Sequence, residues 1–209
     1  MTAVNPLPNL LTWTRIIAGI LMFVCLGGAV GVIPFLDPVV DLQFLLAKLA
    51  FYIFVIGALT DFADGYLARR LHAETAWGAT LDPIADKILV CGTILGLASV
   101  GPQPHIAVPG ALILFREFTV SAMRESTAAK GVRLQVTLLA KWKTTVQLVA
   151  LGAQLFLYAW KSGAWLPNPG VQEPLTTVAD ASMWVAAALT LWTGWDYVRA
   201  ARKALPHEA

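Results

Sequence analysis

The sequence predicts an all-α protein that crosses a bilayer about six times, and three observations carry that reading. Hydrophobic residues fill 57% of 209 positions and mean hydropathy is +0.67, too apolar for a soluble domain of this size. The apolar residues gather into six runs of about 20 or more, the length needed to cross a hydrocarbon core of about 30 Å. Lys and Arg gather in alternate connections, the pattern of a multi-pass chain.

The first helix is expected from about Leu10 to Phe35, entered through Pro8 and Asn9 and left before Pro38. The second covers about Leu42 to Leu71, longer than one span, so its last turns should stand in water. The third is expected from about Asp82 to Val100, with Pro83 in the first turn, where its missing N–H is not needed. The fourth covers about His105 to Ser126, the fifth about Val136 to Trp160 and the sixth about Leu175 to Ala201. Between the last two, Lys161 to Pro174 holds Pro167, Pro169 and Pro174 and reads as an irregular loop. Without repeats or low-complexity segments, the chain reads as a single domain over residues 1–209.

Arg69 and Arg70, then Arg124, Lys130 and Arg133, then Arg199, Arg202 and Lys203 all fall on one side, against Lys161 on the other. Both termini are therefore expected in the cytoplasm and the chain in the cell (inner) membrane. Trp160 and Trp165 would anchor one interface, and Trp13, Trp77 and Trp195 the other. Cys25 and Cys91 lie inside apolar runs and carry no redox argument. Met1 to Pro8 has no Lys or Arg, so no cleaved signal peptide is expected. The three histidines form no zinc cluster or Ser-His-Asp arrangement, and a net charge of +2 gives no reason to expect a nucleic-acid partner.

In a chain with only 13% charged residues, four carboxylates are spaced as Asp61-x-x-Asp64-Gly65-x-x-Ala68-Arg69 and Gly78-x-x-x-Asp82-x-x-x-Asp86. Residues three or four apart share a helix face, so each pair points one way. Two neighbouring helices would bring together four oxygen donors, which suit hard divalent cations such as Mg2+ or Mn2+. Four negative charges match two such ions, a device for polarising phosphoryl groups. Gly65 and Gly78 leave room for a ligand, and Arg69 offers a forked donor for phosphate. The plainer alternative is a solvated rim in which these acids cap helix ends and pair with Arg69, Arg70 and Lys87.

At every fixed position this pattern resembles the signature of the CDP-alcohol phosphotransferase family. The resemblance implies the family's membrane fold and a Mg2+-dependent transfer of a substituted phosphoryl group from a CDP-linked donor to an alcohol, releasing CMP. It implies that Asp61, Asp64, Asp82 and Asp86 hold two ions and that Asp86 is also the general base. Gly65, Ala68, Arg69 and Thr75, with Asn9 and Thr12 at the entry to the first helix, would contact the cytidine diphosphate.

Three further segments are similar to the branch of the family that uses CDP-diacylglycerol and glycerol 3-phosphate. They are Leu7 to Thr12 with Arg15, Arg116-Glu117-Phe118 with Ser121, Arg124 and Glu125, and Lys141-x-Lys143-Thr144 with Gln147. The resemblance implies that Arg116, Arg124 and Lys141 bind the acceptor phosphate, and a homodimer is expected. An ion pair with a Glu is the alternative for Arg116, and snorkelling to lipid phosphates the alternative for Lys141 and Lys143. Two rival functions stay open. One is the same chemistry on an inositol phosphate, serine or phosphatidylglycerol acceptor; the other is divalent-cation transport, against which the one-sided acids and lack of inverted repeats argue.

Overall fold

The computed structural model describes residues 7–33, 40–71, 76–101, 103–131, 138–160 and 169–204. The side chains of residues 7–9, 11, 61–71, 76–80, 82, 138–141 and 204 lie outside that description. Within it are six helices: α1 (Leu7–Val30), α2 (Val40–Leu71), α3 (Ala76–Ala98), α4 (Pro104–Ala129), α5 (Leu138–Trp160) and α6 (Pro169–Ala204). Among the described residues, four stretches are long and apolar enough to cross a bilayer: Thr12–Val30, Val40–Thr60, Pro104–Ala129 and Pro169–Lys203. The other two helices, α3 and α5, have 23 residues each, about 35 Å at 1.5 Å per residue. Polar Lys143, Gln147 and Gln154 are buried on α5, against its neighbours rather than lipid.

Three boundaries differ from the sequence expectation by five residues or more. The first helix stops at Val30, not Phe35, because Gly31 takes a left-handed φ of 73°. Its N–H donates to the Gly28 carbonyl and the Val32 N–H to Gly27, at 3.2 and 3.0 Å, the paired closure that glycine favours after a helix. The third helix begins at Ala76, six residues before Asp82, so Pro83 lies in its interior and not in its first turn. Proline inside a membrane helix is tolerated because neighbouring groups take up the freed carbonyl. The sixth helix begins at Pro169, so residues 169–174 of the expected irregular loop are helical. Pro169 sits at the first helical position, where a fixed φ favours the start.

The first helix packs on α2 and α3, α6 packs on α4 and α5, and contacts of α2 with α5 and of α3 with α4 and α5 join the two sets. All six helices feed one core, including Met22, Phe54, Leu89, Ile113, Leu151 and Met183. Lipid is as apolar as these side chains, so close packing rather than water exclusion holds such helices together. Small residues make that possible between α1 and α3. A Cβ on Gly96 would lie 2.5 Å from Leu26 Cδ2, and one on Gly19 would lie 2.8 Å from Ile88 Cγ2.

Candidate active site

Both carboxylate pairs stand on helical backbone. Asp61 and Asp64 lie near the end of α2, and Asp82 and Asp86 near the start of α3. The two helices touch, which keeps the expected one-turn spacing within each pair on adjacent elements. The side chains of Asp61, Asp64 and Asp82 are outside the described residues, and among the described ones no three His, Cys, Asp or Glu cluster. The fit to a metal therefore rests on the donor chemistry: carboxylate oxygens on two packed helices are what hard divalent ions bind.

Asp86 is fully described and has two distinct surroundings. Its Oδ1 accepts a hydrogen bond of 2.7 Å from Arg15 Nη1 on α1. The arginine side chain is 2% exposed, whereas the aspartate is 45% exposed, so a buried cation holds a carboxylate that still faces open space. On one side of Asp86 lies an apolar cavity of about 890 Å³ between α2, α5 and α6. On another lies a small pocket of about 70 Å³ lined by Asp86, Lys87, Val90, Cys91, Glu117, Lys143, Thr144 and Gln147, most of them polar residues. Thr12 is buried three residues before Arg15, one turn away on α1.

Beyond that pocket a polar network ties α4, α5 and α6 together. Glu117 Oε1 accepts from Lys143 Nζ, from Arg116 Nη1 at 3.3 Å and from Gln147 Nε2 at 3.3 Å. Gln147 Nε2 also donates to Thr190 Oγ1 at 2.6 Å, and Arg116 Nη2 to Thr193 Oγ1 at 3.1 Å. The Arg116 guanidinium lies 5.6 Å from the Tyr197 ring centroid, within reach of its π face. Gly194 makes room for it, since a Cβ there would lie 2.7 Å from Arg116 Cγ.

The predicted site residues thus separate. Asp86 meets Arg15, which sequence reasoning left as part of a segment; the two are 71 positions apart, and no local pattern links them. Arg116 pairs with Glu117, the alternative weighed for it above, while Arg124 lies exposed two turns further along α4. Lys143 does not snorkel: it is buried and bound to Glu117. Thr75 lies outside the described residues, as do the side chains of Asn9, Gly65, Ala68, Arg69 and Lys141. Trp160 is 8% exposed, buried among aromatic rings and not an interface anchor, whereas Trp13 and Trp195 are exposed. Sequence reasoning missed Thr190 and Thr193, because threonines on an apolar helix carry no signal until a buried donor faces them.

Comparison with known proteins identifies the scaffold. The family model for CDP-alcohol phosphatidyltransferase matches residues 5–192. The chain is 39% identical over 228 residues to the CDP-diacylglycerol--glycerol-3-phosphate 3-phosphatidyltransferase of Cereibacter sphaeroides, covering 96% of both chains. Proteins of the same name are 37% identical in Salmonella choleraesuis, with 94% of both chains covered, and 40% identical in Rickettsia typhi, with 79% of this chain and 89% of that one covered. A match over nearly the whole helical bundle, with relatives aligned end to end, makes this chain a member of the CDP-alcohol phosphatidyltransferase family.

Proposed function

We propose that this protein moves the phosphatidyl group of CDP-diacylglycerol onto a hydroxyl of glycerol 3-phosphate, giving phosphatidylglycerophosphate and CMP. One observation carries the reading at the level of the site: Asp86 stands where a large apolar cavity meets a small pocket lined mostly by polar residues. A diacyl donor and a small charged acceptor need that junction. The names of the relatives supply the same pair of substrates.

The acceptor hydroxyl attacks the phosphorus that carries diacylglycerol, and the bond from that phosphorus to the oxygen of CMP breaks. An Asp86 oxygen takes the hydroxyl proton, and Arg15 keeps that carboxylate in place. Asp61, Asp64, Asp82 and Asp86 would hold two divalent ions, Mg2+ or Mn2+, which supply positive charge to the donor phosphates when bound. Asn9, Thr12, Gly65, Ala68, Arg69 and Thr75 contact the cytidine diphosphate. Arg124 and Lys141 supply charge for the acceptor phosphate, and Lys143, in the wall of the small pocket, joins them, whereas Arg116, held by Glu117 and Thr193, braces the network behind it. The protein works as one domain and as a homodimer in the inner membrane, with its termini and Asp86 on the cytoplasmic side; the Lys and Arg bias of the connections supports that orientation.

The test is to incubate purified protein in detergent with CDP-diacylglycerol, Mg2+ and a panel of alcohols, identifying the lipid product by mass. Phosphatidylglycerophosphate with equimolar CMP is expected from glycerol 3-phosphate alone. Chelation should abolish both and Mg2+ restore them. A product from serine or an inositol phosphate, with none from glycerol 3-phosphate, overturns the acceptor assignment.

A further inference from the structure

The large cavity beside Asp86 reaches an aromatic cluster. It follows α5 from Thr144 to Leu157, thirteen residues and about 20 Å at 1.5 Å per residue. One leaflet of a bilayer core is about 15 Å deep, so the cavity is on the scale of a lipid acyl chain. Its rim is open to the side, because Leu59, Val149 and Val178 are 64%, 65% and 67% exposed. Gly152 lets α5 pack closely on α2 beside it, since a Cβ there would lie 3.2 Å from Phe54 Cε1.

In that cluster stand Phe51 of α2 and Phe156 of α5, with ring centroids 5.7 Å apart. Trp160 braces both. It stacks on Phe156 at 4.8 Å and meets Phe51 edge-on at 5.1 Å, in arrangements that aromatic pairs favour. Neither phenyl ring can swing aside without giving up its contacts with Trp160, so this part of the lining is a braced aromatic wall.

We infer that the Phe51–Phe156 wall, held by Trp160, sets which acyl-chain length of the donor is used fastest. The inference rests on the donor being CDP-diacylglycerol. With the cytidine diphosphate over Asp86, one acyl chain enters through the open rim and runs along α5 toward the wall. A chain that stops short leaves part of the cavity without packing partners, and a longer one must bend out into lipid. A methylene distinguishes substrates 10-fold or more in a pocket filled from water. Here the chain leaves lipid, which packs almost as well, so on the order of 3- to 10-fold per two-carbon step is expected.

The test is internal competition. Purified protein receives one equimolar mixture of dilauroyl, dimyristoyl, dipalmitoyl and distearoyl CDP-diacylglycerol with glycerol 3-phosphate, and the products are resolved by mass. Product ratios cancel any loss of active protein. Phe156→Ala should raise the distearoyl to dipalmitoyl ratio roughly 3- to 10-fold, and Ala153→Leu, which adds bulk to the lining, should shift the products toward dilauroyl. Should Phe156→Ala not fold, Phe156→Leu keeps an apolar side chain and reads the same ratio with a smaller shift. Ratios identical to the wild type in both cavity variants overturn the wall as a ruler and leave the reaction standing. Failure of the wild type to convert any of the four donors instead removes the proposed reaction, and the ruler with it.

Discussion

Asp86 and Glu117 are both acids in apolar surroundings, and both contact an arginine. The difference lies in what else surrounds them. The Asp86 side chain is 45% exposed and borders both cavities, whereas that of Glu117 is 18% exposed and receives Lys143, Arg116 and Gln147 together. One carboxylate opens onto both cavities. The other is enclosed and fastens α4 to α5 and, through Gln147 and Arg116, to α6. Charge inside a membrane protein can thus serve chemistry or architecture, and its access to open space separates the two.

That contrast fails first if Asp86 proves structural. Asp86→Asn should lower CMP release by about 10²- to 10⁴-fold or more, the usual worth of a positioned base, while the thermal unfolding midpoint in detergent stays near the wild-type value. A large loss of stability instead would put Asp86 with the architecture. Glu117→Ala should do the opposite. It strands buried Lys143 and Arg116, which typically costs about 3–5 kcal/mol, measurable as a lower unfolding midpoint. Unchanged stability with lost turnover would move Glu117 to the chemical side.

Smaller effects sharpen the picture. Arg15→Lys keeps the charge against Asp86 but loses the guanidinium fork; a hydrogen bond to a charged group is worth about 1.5–3 kcal/mol, so roughly 10- to 100-fold slower turnover is expected at near-normal donor affinity. Full activity would show that Asp86 needs no fixed partner. The smallest effect on turnover belongs to Thr193→Val, which removes the acceptor for the charged Arg116 Nη2 and should cost about 1.5–3 kcal/mol of stability with turnover little changed. Equal losses from Thr193→Val and Arg15→Lys in the CMP assay would erase the distinction between the two regions.

That the four carboxylates stand on two helices was legible in the chain, because helical spacing is a local property. Asp61 with Asp64 and Asp82 with Asp86 follow from positions three or four apart, and the helices that carry them form as the apolar runs require. Lys143 and Gln147 share the same spacing, but which partner they would meet was not readable, since Glu117 is 26 and 30 positions away. Proline misled the reading at both Pro83 and Pro174. In water a proline inside a helix argues for a boundary, yet both sit within helices here, a placement that membrane helices tolerate.

By itself the sequence determined the membrane class, the helical elements and the four carboxylates, because hydropathy and i, i+3 or i, i+4 spacing are local properties of a chain. Tertiary structure alone decided which charges face which. It placed Arg15 on Asp86, enclosed Lys143 with Glu117, turned Trp160 from an anchor into a brace, and opened an apolar cavity against Asp86. Those outcomes depend on helices meeting across 26 to 71 positions of chain, where only packing of whole faces, and not any short pattern, fixes the neighbour of a side chain.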